Sequence, residues 1–94
     1  MRLSRTSKRF RKDYARLNQS GRRDMTKLDE IMIKLILKET LSPIHKDHAL
    51  EGEWKSHRDC HIEGDWVLIY RIQTIDGEEA IIFDATDNHS NLFG

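Results

Sequence analysis

Between Asp47 and Ile72 the chain gathers His48, His57 and His61, three of its five histidines, with both tryptophans, its one cysteine and the carboxylates of Asp59 and Asp65. A further histidine, His89, stands near the C-terminal end. Imidazoles change charge near neutral pH, so histidines converging on carboxylates form a kit for taking up and giving back protons.

Zinc is the competing use of clustered histidine and aspartate. His45 and His48 stand three apart, but they flank a loop after Pro43 rather than a helical turn. Neither a cysteine pair nor an HExxH pattern is present. The expectation is a metal-free acid–base site without a cofactor. Cys60 sits among strand-type residues, which suits a small buried hydrophobe better than a nucleophile.

Elements that could position these groups follow from periodicity. Ser7 suits a helix N-cap, and Phe10, Tyr14 and Leu17 recur at helical spacing, so a first helix is expected from Lys8 to Asn18. Gly21 suits its left-handed cap. A second helix starts near Asp24 or Thr26, carries Met25, Leu28, Ile31, Met32, Leu35 and Ile36 as an apolar stripe, and is ended by Leu41, Ser42 and Pro43. Met1 to Thr6 is a short edge strand at most. After a polar connection from Ile44 to Ser56 the period changes to two. Strands are expected at His57–Ile62, Trp66–Ile72 and Glu79–Ala85, with turns at Glu63–Gly64 and Thr74–Glu78 and a loop with a terminal turn from Asp87.

The fold class is therefore α+β, with two N-terminal helices packed on one face of a small, mainly antiparallel sheet. Strand alternation puts Asp59 and His61 on one face, with Arg58, Cys60 and Ile62 on the other. If Cys60 and Ile62 lie under the helices, Asp59 and His61 look outward. Asp65 and Trp66 then reach the same surface from the hairpin, His48 from the preceding loop and His89 from the tail.

A chain of 94 residues fits one core, and so one domain over 1–94. With 37% hydrophobic and 34% charged residues the composition is globular rather than disordered. No apolar run approaches the roughly 20 residues that cross a bilayer, the basic N-terminus lacks the apolar core of a signal peptide, and a cytoplasmic location is expected. Net charge is zero, yet residues 1–40 hold 12 basic against 5 acidic side chains and residues 41–94 hold 4 against 11. Charge alone fits a solvated helix face. Beside a catalytic group, the same basic half becomes a surface for nucleic-acid phosphates.

The succession KDHAL (46–50), GEWK (52–55), RDCHIEGDWVLIYRI (58–72) and HSNLF (89–93) resembles the YafQ branch of the RelE superfamily of bacterial toxins, over essentially the whole chain. That resemblance implies a RelE-like fold and a ribosome-dependent mRNA endoribonuclease, the toxin of a type II toxin–antitoxin pair. The implied partners are a DinJ- or RelB-like antitoxin, the ribosomal A site with its mRNA, and operator DNA for the toxin–antitoxin complex. By motif, the implied catalytic residues are His48, Asp59, His61, Asp65 and His89, and Trp66 and Phe93 are implied to stack on RNA bases. His48 or His61 would be the base and His89 the acid. The family's pattern places an arginine where Ala85 stands and a glycine where Asp87 stands. This departure implies weakened cleavage or, at its limit, an antitoxin-binding transcriptional co-repressor, and it leaves Lys55 and Arg58 as substitute cations for the RNA phosphate.

Overall fold

A computed structural model describes residues 1–94. The chain opens with a strand, β1 (Leu3–Thr6), followed by two helices, α1 (Lys8–Ser20) and α2 (Met25–Ile36). Ser7 caps α1 by accepting the amide of Phe10, and Gly21 closes it with φ 66°, a left-handed backbone that glycine adopts without strain. Asp24, rather than Thr26, caps α2. This helix stops at Ile36, before the expected Leu41–Pro43 boundary, because Lys38 turns the chain left-handed at φ 62°.

The connection from residue 37 to 57 contains two single 3₁₀ turns (Pro43–His45 and Gly52–Trp54) and a two-residue strand, β2 (His48–Ala49). Three long strands follow: β3 (Arg58–Glu63), β4 (Trp66–Ile75) and β5 (Glu78–Asn88). The first hairpin turns through Gly64–Asp65, one residue later than expected. The second turns through Asp76–Gly77, both with positive φ, the Asp-Gly signature of a two-residue hairpin. The tail is not a loop: β5 runs to Asn88 and a one-turn helix, α3 (His89–Phe93), follows it.

The sheet order is β1-β5-β4-β3-β2, with β1 parallel to β5 and every other pairing antiparallel. On one face, α1 and α2 bury Phe10, Leu17, Leu28, Ile31 and Leu35 against Cys60, Ile62, Trp66, Leu68, Tyr70, Ile81 and Phe83. The opposite face is not bare. There Val67, Ile69 and Ala85 pack beneath Leu92 of α3, with Leu50, Trp54 and Phe93 around them.

Where β5 passes beyond its pairing with β1, α1 covers the free edge. The Asp13 carboxylate accepts the buried amide of Thr86 at 3.1 Å, and Ser7 donates its hydroxyl to the Asp84 carbonyl at 2.9 Å. A bulge sits at the same place: Ile69 pairs with Ala85 and Tyr70 with Phe83, so Asp84 has no partner across the ladder. Past the bulge, alternation inverts. Ala85 joins the face opposite the helices, and Thr86 goes beneath them.

Candidate active site

β3 places Cys60 and Ile62 under the helices and Asp59 and His61 on the other face, as alternation requires. Asp59 itself is not an exposed group. It is 1% exposed, and its Oδ1 has no hydrogen-bond partner. The β2 ladder sets His48 directly opposite it, with Nδ1 3.6 Å from Oδ1, while Nε2 of His61 lies 3.9 Å from the same oxygen. Burial pushes the Asp59 carboxyl above its ordinary range, against the opposing pull of His48, His61 and His89. Two imidazoles, at 3.6 and 3.9 Å, therefore flank one buried carboxylate, and His89 acts on it from farther off.

Two of the rings lie against backbone carbonyls. Nδ1–H of His48 donates to the Lys46 carbonyl at 2.6 Å, leaving Nε2 without a partner in the chain. Nδ1 of His61 lies 3.4 Å from the Gly64 carbonyl. His89 opens α3. Its amide donates to the Asp65 carbonyl at 2.7 Å, and its ring packs on Phe93 with centroids 4.6 Å apart.

Three expected assignments change. Trp66 is fully buried, and its indole N–H donates to the Thr86 hydroxyl at 2.9 Å. The ring belongs to the helix-side core and has no open face for an RNA base, because alternation sends it the same way as Leu68 and Tyr70. The Asp65 side chain turns from the histidines toward Arg23, at 3.3 Å, while its main chain holds His89. Arg58 shares the helix side with Tyr70, its register partner, and binds Asp47 at 3.1 Å. It is no replacement cation for the histidine face. Lys55 is exposed, just after the 3₁₀ turn at Gly52–Trp54.

The acidic residues of the last strand are also better placed than their sequence suggests. Asp84 accepts Nε2–H of His57 at 2.8 Å and Nε–H of Arg71 at 2.9 Å. Asp87 is 7% exposed and pairs with Arg16 at 3.0 Å, while its second oxygen accepts from the Asn88 amide and the Asn91 side chain. Asp13 and Asp87 together raise the pKa of Arg16 against the opposing effect of desolvation. Both charges are thus compensated within the protein. Trp54, absent from the sequence-based site, stands on the histidine face with the Arg9 guanidinium 5.8 Å above its ring. Its GEWK motif was the available signal.

The architecture and this site define a small α+β domain with a histidine–carboxylate cluster on the sheet face away from its two long helices. The chain belongs to the YafQ family of bacterial toxins of type II toxin–antitoxin systems, whose family model matches residues 2–94. The mRNA interferase toxin YafQ of Escherichia coli K12 is 39% identical over 89 residues, 94% of this chain and 91% of that protein. The toxin in the E. coli DinJ–YafQ complex superposes with a TM-score of 0.82 at 39% identity, covering all of both chains. A metal-bound toxin from Helicobacter pylori gives a TM-score of 0.86 at 33% identity over 99% of this chain and all of that one. In this chain no group of three or more His, Cys, Asp or Glu side chains is arranged to hold a metal ion.

Proposed function

We propose that this protein is a ribosome-dependent mRNA endoribonuclease that arrests translation, held inactive by an antitoxin of the DinJ or RelB kind. The observation that carries this reading is the approach of His48 and His61 to the buried Asp59, with His89 near enough to act on it electrostatically. E. coli relatives named mRNA interferase, and one solved with DinJ, support it. The toxin–antitoxin complex is proposed to act at operator DNA.

The reaction uses the RNA's own 2′-hydroxyl. Nε2 of His48, whose Nδ1–H is tied to the Lys46 carbonyl, takes the hydroxyl proton. The oxygen attacks phosphorus, and His89 gives a proton to the departing 5′-oxygen. His61, when protonated, pairs with Asp59 and presents positive charge to the phosphorane. Phe93, beside His89, stacks on a base. Asp65 fixes His89 through its carbonyl, so its contribution is positional. Lys8, Lys12 and Arg22, which form no ion pair within the chain, dock on ribosomal RNA, and Lys55 on the mRNA strand. With Ala85 on this face in place of an arginine, the phosphate has one permanent cation fewer, and slower cleavage follows.

The test is to map mRNA 5′ ends in cells after induction. In-frame cuts are expected within translated regions, and His48→Gln or His89→Gln should lower cleavage by about 10²-fold or more. Unchanged cleavage in the double variant would overturn the assignment.

A further inference from the structure

β2 pairs with β3 only through His48 with Asp59 and Ala49 with Arg58, so the outer edge of β3 from Cys60 onward has no strand beside it. The lost partner can be named. Leu50 donates its amide to the His57 carbonyl at 2.9 Å, and antiparallel bonds recur at every second residue, so a continued β2 would set the Lys46 amide against the His61 carbonyl. The chain does otherwise. Lys46 turns left-handed at φ 48°, and its amide donates to the Pro43 carbonyl inside the 3₁₀ turn. The His45 ring takes that place instead: its Nδ1–H donates to the His61 carbonyl at 2.6 Å, since a carbonyl can only accept. Around this bond the edge opens on a cavity of about 490 Å³, lined by Lys27, Glu63 and Gly64 as well as by the two histidines.

We propose that His45 is a positioning residue for RNA cleavage, holding His61 through its main-chain carbonyl. The inference rests on the ribonuclease reading above and adds a residue to its machinery. The need for it arises on the inner side of the strand. Between His61 and Glu63 the pairing of β3 with β4 shifts register, so the ladder is irregular where the His61 peptide must be fixed. The His61 ring itself has only long contacts, 3.9 Å to Asp59 and 3.4 Å to the Gly64 carbonyl, and tilts with its peptide. A 2.6 Å bond on the outer edge sets that peptide plane. The same turn anchors the other imidazole, because the Lys46 carbonyl takes Nδ1–H of His48 at 2.6 Å. His45 and Lys46 thus hold both rings that flank Asp59. The turn keeps its place without the His45 ring: Ser42 caps it, and Asp47 accepts from Arg58 at 3.1 Å and from the Tyr70 hydroxyl at 2.7 Å. Loss of the His45 donor is therefore felt at His61 rather than along the whole connection.

Two measurements on the purified protein decide the matter. In ribosome-dependent mRNA cleavage, His45→Leu should lower the rate at saturating ribosome by about 10- to 10²-fold with KM unchanged. His45→Asn, whose amide N–H stands where Nδ1–H was, should keep most of the rate. In a His61→Gln background His45→Leu should add no further loss, since the two residues act as one unit. Should His45→Leu not fold by thermal melt, His45→Ala takes its place. Separately, in NMR spectra of the free protein the His61 ring resonances should shift and broaden in His45→Leu and return in His45→Asn. Unchanged cleavage in His45→Leu, equal losses in the leucine and asparagine variants, or the same loss with and without the His61 ring would refute the proposal and leave the ribonuclease reading standing. His61 resonances that follow residue 45 in a protein without cleavage support the anchor and sink the ribonuclease reading. Resonances that stay put in every variant overturn the anchor.

Discussion

Replacing Asp59 by asparagine tests the centre of the site, because the substitution removes a charge while keeping the shape. The carboxylate is 1% exposed and its Oδ1 lacks a hydrogen-bond partner, and an unsatisfied buried acceptor costs about 1–3 kcal/mol. Burial raises the folded-state pKa above the unfolded value, so the folded chain binds this proton more tightly. The associated stability is fully present below the unfolded value and is lost as pH rises through the folded one. Asp59→Asn should therefore match the wild type near pH 4 and become more stable above the titration. The expected gain of about 1–2 kcal/mol corresponds to a Tm rise of roughly 4–16 °C for a domain of this size. Cleavage should fall in the same variant, since the imidazoles lose the negative partner that holds them. Thermal melts across pH, read beside cleavage of ribosome-bound mRNA, check both halves. A Tm below wild type at every pH would show that the carboxylate stabilises the fold on balance and would refute the reasoning.

Four other substitutions probe the surroundings. Trp66→Phe should cost about 1–3 kcal/mol through lost burial and the lost bond to Thr86, with cleavage per folded molecule unchanged; denaturant melts and active-fraction assays separate the two. Asp13→Ala orphans the buried Thr86 amide and leaves Arg16 with Asp87 alone, so unfolding should come earlier by about 1–3 kcal/mol in urea. Burial and the bond to Asp29 push Tyr14 up to about 12. Folding stability from this phenol should thus fall as pH rises from its ordinary value of about 10, and Tyr14→Phe should remove that decline in alkaline melts. Ala85→Arg forces a long charged chain into a fully buried site against Val67, Ile69 and Leu92; a loss of about 1–3 kcal/mol should show in Tm, with faster cleavage per folded molecule in the same preparation.

Much of this could be read from periodicity, because the signals were local. The apolar stripe of α2, the Asp76–Gly77 turn and the two-residue period of β3 each follow from neighbouring side chains. Misreadings arose where distant segments decide. Asp59 alternates outward as expected, yet it is buried, because β2 and the tail fold over a face that alternation alone leaves open. A two-residue strand and a one-turn helix carry too few residues to leave a period. Position 85 shows the effect most sharply. Regular alternation from Phe83 would put Ala85 under the helices, and the bulge at Asp84 moves it to the histidine face. No residue type announces that bulge; the covering of the β5 edge by α1 accompanies it.

The lopsided charge of the two halves gains a structural meaning from the same packing. Arg2 and Lys38 pair with Glu79, Arg16 with Asp87, Arg23 with Asp65 and Lys27 with Glu63, so the basic helices sit on the acidic strands as complementary surfaces. Exposed pairs of this kind add little stability each, and they leave Lys8, Lys12 and Arg22 of the helical half without an ion-pair partner in the chain. On the histidine face Arg71 and His57 answer Asp84, and Arg16 answers Asp87. Asp59 faces His48 and His61, and the carboxylates without an ion-pair partner on this side are Glu51 and Glu53, beside Trp54. Under the proposed function, the imidazoles of His48, His61 and His89 and the amine of Lys55 are the donors this face presents to a phosphate.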